Sequence, residues 1–421
     1  MHISPLADIG GIGIGVLHFI IFRLSKFLEY IIYICKIFYN KLIKYIIRGI
    51  KMTQATLGFG AMRLPQTDDS DPSSIDMEEF TRMVDYYMEQ GFNYFDTSYA
   101  YHAEKSEGAL KKALVERYPR ESFQMANKIP TWLLAKEEDN DRYVDIMLER
   151  LGIEYFDVLF IHNINKALIN PAEQANSFEY IRRAKEEGKA LKVGISFHEK
   201  EELLEEVFEK YGDVIDVALI QLNFMDWTDQ RIQSKKIHSI CVKHDVEIQV
   251  MEPIKGGTLT NVSDDVKRQF EDYSDKSIAD LALRFAASQE NVTVVLSGMS
   301  NLEQMKENCE TFQNFEKITP EDHKFLMKMA HEIKKSLAID CSFCNYCIKD
   351  CEMNIPIPDF FNLYNSEKMY HLESNVDLYN TSARVYAPAS ACSECGTCVD
   401  MCTQQLDIPA LLKDVAELFG R

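Results

Sequence analysis

Residues 158–196 read VLFIHNINKALINPAEQANSFEYIRRAKEEGKALKVGIS, and no other stretch is as informative about the fold. A short apolar run ends at His162, an amphipathic helical pattern follows at Ser177–Glu187, and a second apolar run ends at Ser196. Gly188 stands where glycine often ends a helix. The stretch therefore predicts a strand, a helix and a second strand, with a polar residue where each strand ends.

The same alternation of short apolar runs and amphipathic stretches continues on both sides of this unit. The predicted strands are Ala55–Met62, Tyr94–Thr97, Phe123–Lys128, Val158–His162, Lys192–Ser196, Val217–Leu222, Glu247–Met251 and Thr293–Leu296. The predicted helices include Met77–Gln90, Lys105–Arg117, Val144–Leu151, Ser177–Glu187, Lys200–Lys210 and Gln230–His244. Eight strands that alternate with helices predict an α/β fold, the (β/α)8 TIM barrel. A doubly wound open sheet is the alternative, which periodicity alone does not exclude.

Polar or ionisable residues recur at the carboxyl ends of these strands, and this recurrence favours the barrel. In a TIM barrel the carboxyl ends of all strands meet at one mouth, where active sites are built. Single polar residues near strand ends are common, so the argument depends on their repetition. The residues are Asp96, Lys128, His162, Ser196, Gln221 and Asn223.

The chain has 421 residues, 46% of them hydrophobic and 27% charged, as in a soluble globular protein of two or three structural units. Its net charge of −20 argues against nucleic-acid binding, because phosphates require Lys and Arg. Of the eleven cysteines, eight fall in two clusters near the C-terminus. A disulfide framework suits short secreted chains, so we predict metal ligation in the reducing cytoplasm.

The first 51 residues are more apolar and more basic than the rest of the chain. Their uncharged run Ile9–Phe22 is shorter than the roughly 20 residues that span a bilayer as a helix. Two interpretations stay open: a dispensable extension with translation starting at Met52, or a genuine segment that contacts a membrane surface. We predict three parts, namely the extension 1–51, the barrel 52–335 and a C-terminal domain 336–421.

Asn93–Tyr101, which reads NYFDTSYAY, is followed by Ser106-Glu107 and resembles the Asp-Thr-Ala-x-x-Tyr signature of the aldo-keto reductase family. Lys128 in MANK and His162 at the end of FDVLFIH are similar to that family's third-strand lysine and fourth-strand histidine. The resemblance covers roughly residues 55–308 and implies a TIM-barrel enzyme that uses NAD(P)H. The catalytic residues that it implies are Asp96, Tyr101, Lys128 and His162.

These four residues also suit carbonyl reduction on chemical grounds. Hydride attack on a carbonyl needs a proton for the developing alkoxide, and a tyrosine can supply it if a nearby ammonium lowers its pKa. Tyr101 and Lys128 would take these roles. Asp96 would hold the ammonium, and His162 would orient the carbonyl oxygen. The structural alternatives are that Tyr101 is an aromatic packing residue, Asp96 a helix cap and His162 a buried core histidine.

The resemblance also implies a site for NADP or NAD, although the chain lacks a Rossmann fingerprint. Ser196 and Gln221 would bind the nicotinamide carboxamide, Met251 would replace the usual stacking aromatic residue, and Lys255 would approach the pyrophosphate. At the adenosine end the implied residues are Gly298, Ser300, Gln304, Glu307 and Asn308. The family usually has Asn where this chain has Phe197 and often Arg where it has Gln304. These departures leave open a barrel that has changed its redox partner.

The C-terminal cysteines form two runs of identical spacing, Cys-x-x-Cys-x-x-Cys-x-x-x-Cys. The runs are Cys341, Cys344, Cys347 and Cys351, and then Cys392, Cys395, Cys398 and Cys402. Three cysteines of such a run can ligate one [4Fe-4S] cluster, and in two-cluster ferredoxins the fourth ligand comes from the other run. We predict that Cys402 completes the first cluster and Cys351 the second, in a mainly helical ferredoxin-like domain. Zinc is the alternative, but two full four-cysteine runs do not favour it.

Three functional hypotheses remain. The first is an oxidoreductase that transfers hydride from NAD(P)H to a carbonyl substrate, with Tyr101 as proton donor, and exchanges electrons through two clusters with a ferredoxin- or flavodoxin-type partner. The second is a reductase whose clusters are structural, and the third is a non-catalytic electron-transfer module on a reused barrel. Hydride carries two electrons whereas each cluster moves one, and we find no flavin signature that would link them.

Overall fold

The computed structural model describes residues 54–68, 71–370 and 373–420. The predicted extension 1–51 lies outside these residues. Residues 55–421 form one compact unit, so the barrel and the cysteine-rich segment are parts of the same body. Within the described part of the chain, no helix is both long enough and apolar enough to cross a membrane.

Eight parallel strands form a closed barrel in chain order. They are β1 (Thr56–Gly60), β2 (Tyr94–Asp96), β3 (Gln124–Ile129), β4 (Phe156–Ile164), β5 (Ala190–Phe197), β6 (Val217–Gln221), β7 (Glu247–Met251) and β8 (Val292–Ser297). Strand β1 pairs with both β2 and β8, and this pairing closes the sheet. The predicted TIM barrel is confirmed, the open sheet is wrong, and every observed strand overlaps a predicted one.

Helices surround the barrel and continue into the C-terminal module. Around the barrel they are α1 (Met77–Glu89), α2 (Ser106–Leu110), α3 (Glu138–Leu151), α4 (Ile169–Gln174), α5 (Ser177–Glu186), α6 (Glu201–Tyr211), α7 (Ser234–Lys243), α8 (Asp264–Tyr273), α9 (Ile278–Ala287), α10 (Leu302–Gln313) and α11 (Pro320–Ser336). The module adds α12 (Ile357–Tyr370), α13 (Glu373–Val385), the single turn α14 (Thr397–Asp400) and α15 (Ile408–Phe419).

Side-chain alternation along the strands explains why polar residues lie at the barrel mouth. Successive residues of a strand point to opposite faces, so Val158, Phe160 and His162 of β4 share the inner face. The first two belong to an apolar interior cluster, in which the Tyr94 hydroxyl donates a hydrogen bond of 2.7 Å to Gln249 Oε1. His162 is therefore one layer above the apolar interior, at the carboxyl end of its strand.

A larger apolar core lies between the strands and the surrounding helices. Helix α1 shows how this core forms: its Asp76 cap accepts hydrogen bonds from two backbone N–H groups, and its inner face buries Phe80 and Tyr87 completely. Burial of each such side chain contributes about 1.5–3 kcal/mol. The outer core holds the strands in place and so fixes the positions of their polar carboxyl ends.

The C-terminal module has an apolar core of its own, to which α12, α13 and α15 contribute. The ring of Tyr379 packs between Phe360 and Phe419, with ring centroids 4.5 and 4.6 Å away. Cysteines of both runs pack against this core. The cysteines are therefore held by a packed helical body.

Candidate active site and cluster cavities

A cavity of about 410 Å³ opens at the mouth of the barrel, a volume in the range of small-molecule sites. The four predicted catalytic residues, Asp96, Tyr101, Lys128 and His162, all line it. Seven predicted nucleotide-binding residues line the same cavity, namely Ser196, Met251, Gly298, Ser300, Gln304, Glu307 and Asn308. Side chains from most of the barrel strands and their following loops therefore share one space.

Lys128 and Asp96 form a buried ion pair in this cavity. Lys128 Nζ lies 2.6 Å from Asp96 Oδ1 and donates a second hydrogen bond of 2.7 Å to the carbonyl oxygen of Thr97. Burial lowers the pKa of Lys128 and raises the pKa of Asp96, and the attraction between the two charges opposes both shifts. The ion pair holds the ammonium close to Tyr101, with Lys128 Nζ 5.0 Å from the centre of the tyrosine ring.

Tyr101 does not have the lowered pKa that its pairing with a lysine led us to expect. Burial raises the pKa of Tyr101 well above its ordinary value, and the neighbouring Tyr346 and Asp96 raise it further. The charge of Lys128 does not reverse this effect because Asp96 balances it. Tyr101 is therefore protonated at neutral pH, which suits a group that has to donate a proton.

His162 lies between two hydroxyl groups at the end of β4. Its Nδ1 atom is 3.1 Å from Ser98 Oγ, and its Nε2 atom is 3.4 Å from the hydroxyl oxygen of Tyr346. Burial and the positive charge of Lys128 hold the pKa of His162 well below its ordinary value. The ring is therefore neutral at physiological pH and can exchange a hydrogen bond with a ligand oxygen without carrying charge.

Tyr346 is a site residue that sequence reasoning missed. It lies between Cys344 and Cys347 in the first cysteine run, yet its side chain lines the barrel cavity. Its hydroxyl contacts His162, and it is close enough to Tyr101 to raise the pKa of that residue. No local pattern indicates this contact, because Tyr346 and His162 are 184 positions apart in the chain.

The two residues predicted to bind the nicotinamide carboxamide lie in different settings. Ser196 lines the cavity, and its Oγ accepts a hydrogen bond of 2.7 Å from the backbone N–H of Asn163. Gln221 is buried outside the cavity lining, and within the described residues its Nε2 atom has no hydrogen-bond partner. Buried amides of native proteins are nearly always hydrogen-bonded, so Gln221 is a candidate to bind a polar ligand group.

Lys255 points away from the cavity. Its buried ammonium donates hydrogen bonds of 2.9 and 2.8 Å to the two carboxylate oxygens of Asp226 and of 2.6 Å to Gln404 Oε1. A lysine bound in this way is not available to a pyrophosphate group. The basic side chain that lines the cavity beside Gly298 is Arg63, which sequence reasoning missed because a single arginine after a strand forms no motif.

The residues predicted for the adenosine end are held by hydrogen bonds among polar neighbours. Gln304 Oε1 accepts a hydrogen bond of 2.9 Å from the backbone N–H of Ser300, and Asn308 Nδ2 donates one of 3.0 Å to Ser297 Oγ. Glu307 accepts a hydrogen bond from the Ser277 hydroxyl. Among the described residues, the Lys and Arg side chains that line the whole cavity are Lys128 and Arg63 alone. This end of the cavity is therefore polar and acidic.

The eight cysteines surround two separate small cavities. Cys341, Cys344, Cys347 and Cys402 line the first, and Cys351, Cys392, Cys395 and Cys398 line the second. In this arrangement each run supplies three ligands to one cluster and its fourth cysteine to the other cluster. The backbone N–H groups of Phe343 and Leu406 each donate to a cysteine sulfur at 3.4 Å, a kind of hydrogen bond that tunes cluster potentials. Four thiols around each cavity are a donor set that fits a [4Fe-4S] cluster.

The two cysteine sets differ in their distance from the active site. Cys344 of the first set also lines the barrel cavity, next to Thr403. In the second set Cys395 is exposed to solvent. A cluster on the first set would thus lie at the wall of the active site, and one on the second set would lie near the protein surface.

Known protein families match both parts of the chain. The model of the "Aldo/keto reductase family" matches residues 56–330, and that of a "4Fe-4S dicluster domain" matches residues 340–406. "Probable aldo-keto reductase 1" of Glycine max is 26% identical over 209 residues, and the match covers 48% of this chain and 56% of that protein. "L-galactose dehydrogenase" of Arabidopsis thaliana is 23% identical over 296 residues, covering 64% of this chain and 87% of that protein.

Solved structures share the barrel fold. The holo form of an aldo-keto reductase from Bacillus halodurans has a TM-score of 0.54 and 22% identity, and the match covers 65% of this chain and 91% of that one. An aldo-keto reductase from Klebsiella pneumoniae in complex with NADPH has a TM-score of 0.52 and 16% identity, covering 66% and 96%. At these identities the similarity shows the fold alone.

Proposed function

Because the chain belongs to the aldo/keto reductase family, we propose that it is an oxidoreductase that transfers a hydride from NAD(P)H to a small carbonyl substrate. The hydride goes to the carbonyl carbon, and the Tyr101 proton goes to the carbonyl oxygen. The nucleotide leaves as NAD(P)⁺ and the substrate as an alcohol. The observation that carries this proposal is the convergence of four catalytic and seven nucleotide-binding candidates on one cavity.

The side chains around the cavity suggest which role each residue has in the proposed reaction. Tyr101 supplies the proton, and neutral His162 positions the substrate oxygen. The Lys128 ammonium, which Asp96 holds in place, would favour the negative charge that develops on the tyrosine oxygen as the proton leaves, although the charge of Asp96 weakens this effect. Ser196 and Met251 would hold the nicotinamide ring, which supplies the hydride when the nucleotide is bound.

We further propose that the chain carries two [4Fe-4S] clusters that exchange electrons with the active site. The matched dicluster domain and the two four-cysteine cavities support this proposal. Because Cys344 lines both a cluster cavity and the barrel cavity, electrons would cross only a short distance. A hydride carries an electron pair whereas each cluster accepts one electron, and the pair that reaches the carbonyl is not available to the clusters. Electron exchange would therefore be a separate reaction, in which a flavin-type mediator takes the hydride from NAD(P)H and passes the two electrons singly to the clusters.

The proposal is tested by anaerobic purification followed by iron and sulfide analysis, EPR spectroscopy and titration with NADH and NADPH. We expect two clusters per chain and nucleotide-dependent reduction of small aldehydes. Cluster reduction by a nucleotide would support the coupling to electron transfer. A protein that binds neither nucleotide and reduces no carbonyl compound would contradict the proposed hydride transfer, and zinc in place of iron would contradict the clusters.

The nucleotide site is expected to favour NADH over NADPH. The adenosine-end residues Gln304, Glu307 and Asn308 carry no positive charge. The Arg63 guanidinium beside Gly298 donates to two backbone carbonyl oxygens of the first cysteine run, so among the described lining residues a 2′-phosphate would find no free counter-charge. Loss of one charge-assisted hydrogen bond corresponds to an affinity difference of about tenfold. Quenching of protein fluorescence by each nucleotide measures the two dissociation constants. Tighter binding of NADPH would show that a basic residue outside this set recognises the phosphate.

The variant Cys344→Ser tests whether the clusters transfer electrons or only stabilise the fold. If the first cluster transfers electrons, the variant loses the EPR signal of that cluster and the electron exchange, even in protein that stays folded. If the clusters are structural, the folded fraction keeps its full turnover per chain. Cys241→Ser is the matched control, because Cys241 is buried in α7 away from both cysteine cavities.

The cellular setting follows from the cluster chemistry. We propose a cytoplasmic protein, because thiol-ligated clusters suit a reducing compartment. A ferredoxin- or flavodoxin-type carrier is the proposed electron partner, and the exposed Cys395 places the second cysteine set where such a carrier could approach.

A further inference from the structure

The hydroxyl group of Tyr346 lies among the side chains that would bind a substrate oxygen. It is 3.4 Å from His162 Nε2, and Tyr346 lines the same cavity as Tyr101. The Tyr346 and His162 rings meet edge to face, with centroids 6.1 Å apart. A tyrosine from the first cysteine run therefore stands at the point where the proposed reaction needs the carbonyl oxygen.

We propose that Tyr346 is a specificity-determining residue whose hydroxyl holds the substrate-oxygen position until a carbonyl compound displaces it. This inference rests on the proposed function. A carbonyl oxygen bound productively lies about 2.6–3.2 Å from the group that protonates it. Two oxygen atoms cannot occupy that place together, so the hydroxyl of Tyr346 has to leave before Tyr101 and His162 can bind the substrate.

The backbone that carries Tyr346 is anchored on the barrel. The Arg63 guanidinium donates hydrogen bonds of 3.0 Å to the Ser342 carbonyl oxygen and 3.5 Å to that of Phe343. Gln404 Nε2 donates a hydrogen bond of 3.2 Å to Ser342 Oγ. With its backbone held by these bonds, Tyr346 can clear the oxygen position mainly by rotation of its side chain.

The local backbone conformation also sets the direction of the tyrosine. Phe343 and Asn345, which flank Cys344, have φ angles of 55° and 64°, in the left-handed region. A bulky residue such as phenylalanine adopts this region only when the surrounding structure enforces it. The turn that the backbone makes at Phe343 and Asn345 therefore directs the side chain of Tyr346 into the cavity.

A substrate preference follows from this arrangement. Because the loop stays in place, the displaced ring of Tyr346 remains a wall of the cavity next to the reacting carbon. An aldehyde presents one substituent and a hydrogen to this wall, whereas a diaryl ketone presents two bulky groups. We infer that the site accepts aldehydes and unhindered ketones and excludes bulky ketones.

The test compares Tyr346→Ala and Tyr346→Phe with the wild type, each as the full chain with its clusters, using NADH, 4-nitrobenzaldehyde and benzophenone. The alanine variant removes the ring, so it should lower KM for benzophenone about tenfold or more, with little change in kcat. The phenylalanine variant loses the hydroxyl but keeps the ring. It should therefore lower KM for the aldehyde and leave benzophenone excluded.

A binding measurement gives a readout that does not depend on turnover. The affinity of the NAD⁺ complex for acetate, followed by protein fluorescence, should rise about tenfold in both variants, because the oxygen position is no longer occupied by a hydroxyl. Tyr386→Ala, which removes an exposed tyrosine of the same module, is the matched control and should leave both readouts unchanged.

Two results would overturn the inference. One is a loss of kcat in both variants at unchanged KM, which would make Tyr346 a group that the reaction requires. The other is an unchanged acetate affinity in both variants, which would show that its hydroxyl does not hold the oxygen position. Failure of the proposed function would look different: no form of the protein would reduce a carbonyl compound, while acetate affinity would still respond to the loss of Tyr346.

Discussion

Replacement of Tyr101 with phenylalanine is expected to lower the turnover of a carbonyl substrate by about 10²- to 10⁴-fold, the usual contribution of a positioned general acid. The variant keeps the aromatic ring, whose centre lies 5.0 Å from Lys128 Nζ, so the cavity keeps its shape. It loses only the hydroxyl that would protonate the substrate oxygen. Anaerobic steady-state kinetics with NADH and an aromatic aldehyde measure the effect.

Tyr99→Phe is the matched control for this variant. Tyr99 packs against Tyr143 with ring centroids 5.3 Å apart, and its hydroxyl lies 3.5 Å from the guanidinium of Arg150, outside the cavity lining. We expect turnover close to that of the wild type, and both variants should bind NADH as the wild type does. If Tyr101→Phe turned over as fast as Tyr99→Phe, Tyr101 could not be the proton donor.

Replacement of Lys255 with methionine should lower the free energy of unfolding by about 3–5 kcal/mol, because it leaves the buried carboxylate of Asp226 without its counter-charge. The side chains of Lys255 and Asp226 are both fully buried and form an ion pair of 2.8 Å, and Asp340 lies 3.2 Å from the same ammonium. Burial alone would lower the pKa of Lys255, but Asp226 and Asp340 outweigh it and raise the pKa. Lys255 therefore stays charged well into the alkaline range.

The same ammonium is bonded to Gln404, so its loss should also loosen the contact between the barrel and the C-terminal module. Chemical unfolding, followed by circular dichroism and by cluster absorbance, measures both effects. Lys192→Met is the control, because Lys192 pairs with Glu247 at the surface and such pairs contribute little.

A double variant tests the physical reason. Adding Asp226→Asn to Lys255→Met removes the uncompensated charge, and part of the lost stability should return. If Lys255→Met and Lys192→Met were equally stable, the buried network would not be what holds the two parts of the chain together.

The barrel could be predicted from the sequence because the pattern that specifies each strand lies within a few neighbouring residues. In a strand, every second side chain points to the same face, so the positions of Val158, Phe160 and His162 identify the inner face of β4 from a few residues of sequence. Parallel strands that close into a barrel end at one mouth. From these two facts alone, Asp96, Lys128 and His162 were expected to converge, and they line one cavity.

The grouping of the cysteines was also accessible from their spacing. Three cysteines of a tight run can reach one cubane cluster but the fourth cannot, so an exchange of ligands between the two runs was expected. The two cysteine cavities have this composition. What spacing does not contain is the position of the first set at the wall of the barrel cavity.

The sequence by itself determined the strands, the inward alternation of their side chains and the two sets of thiol ligands, since each depends on residues only a few positions apart or on a repeated spacing. Only the tertiary structure decided that Tyr346 meets Tyr101 and His162, that Lys255 turns to Asp226 and Gln404, and that burial raises the pKa of Tyr101. These features arise where the cysteine module packs on the barrel mouth. Contacts across that boundary depend on the shapes of the two packed surfaces and on desolvation. Neither of these leaves a periodic pattern in the local sequence.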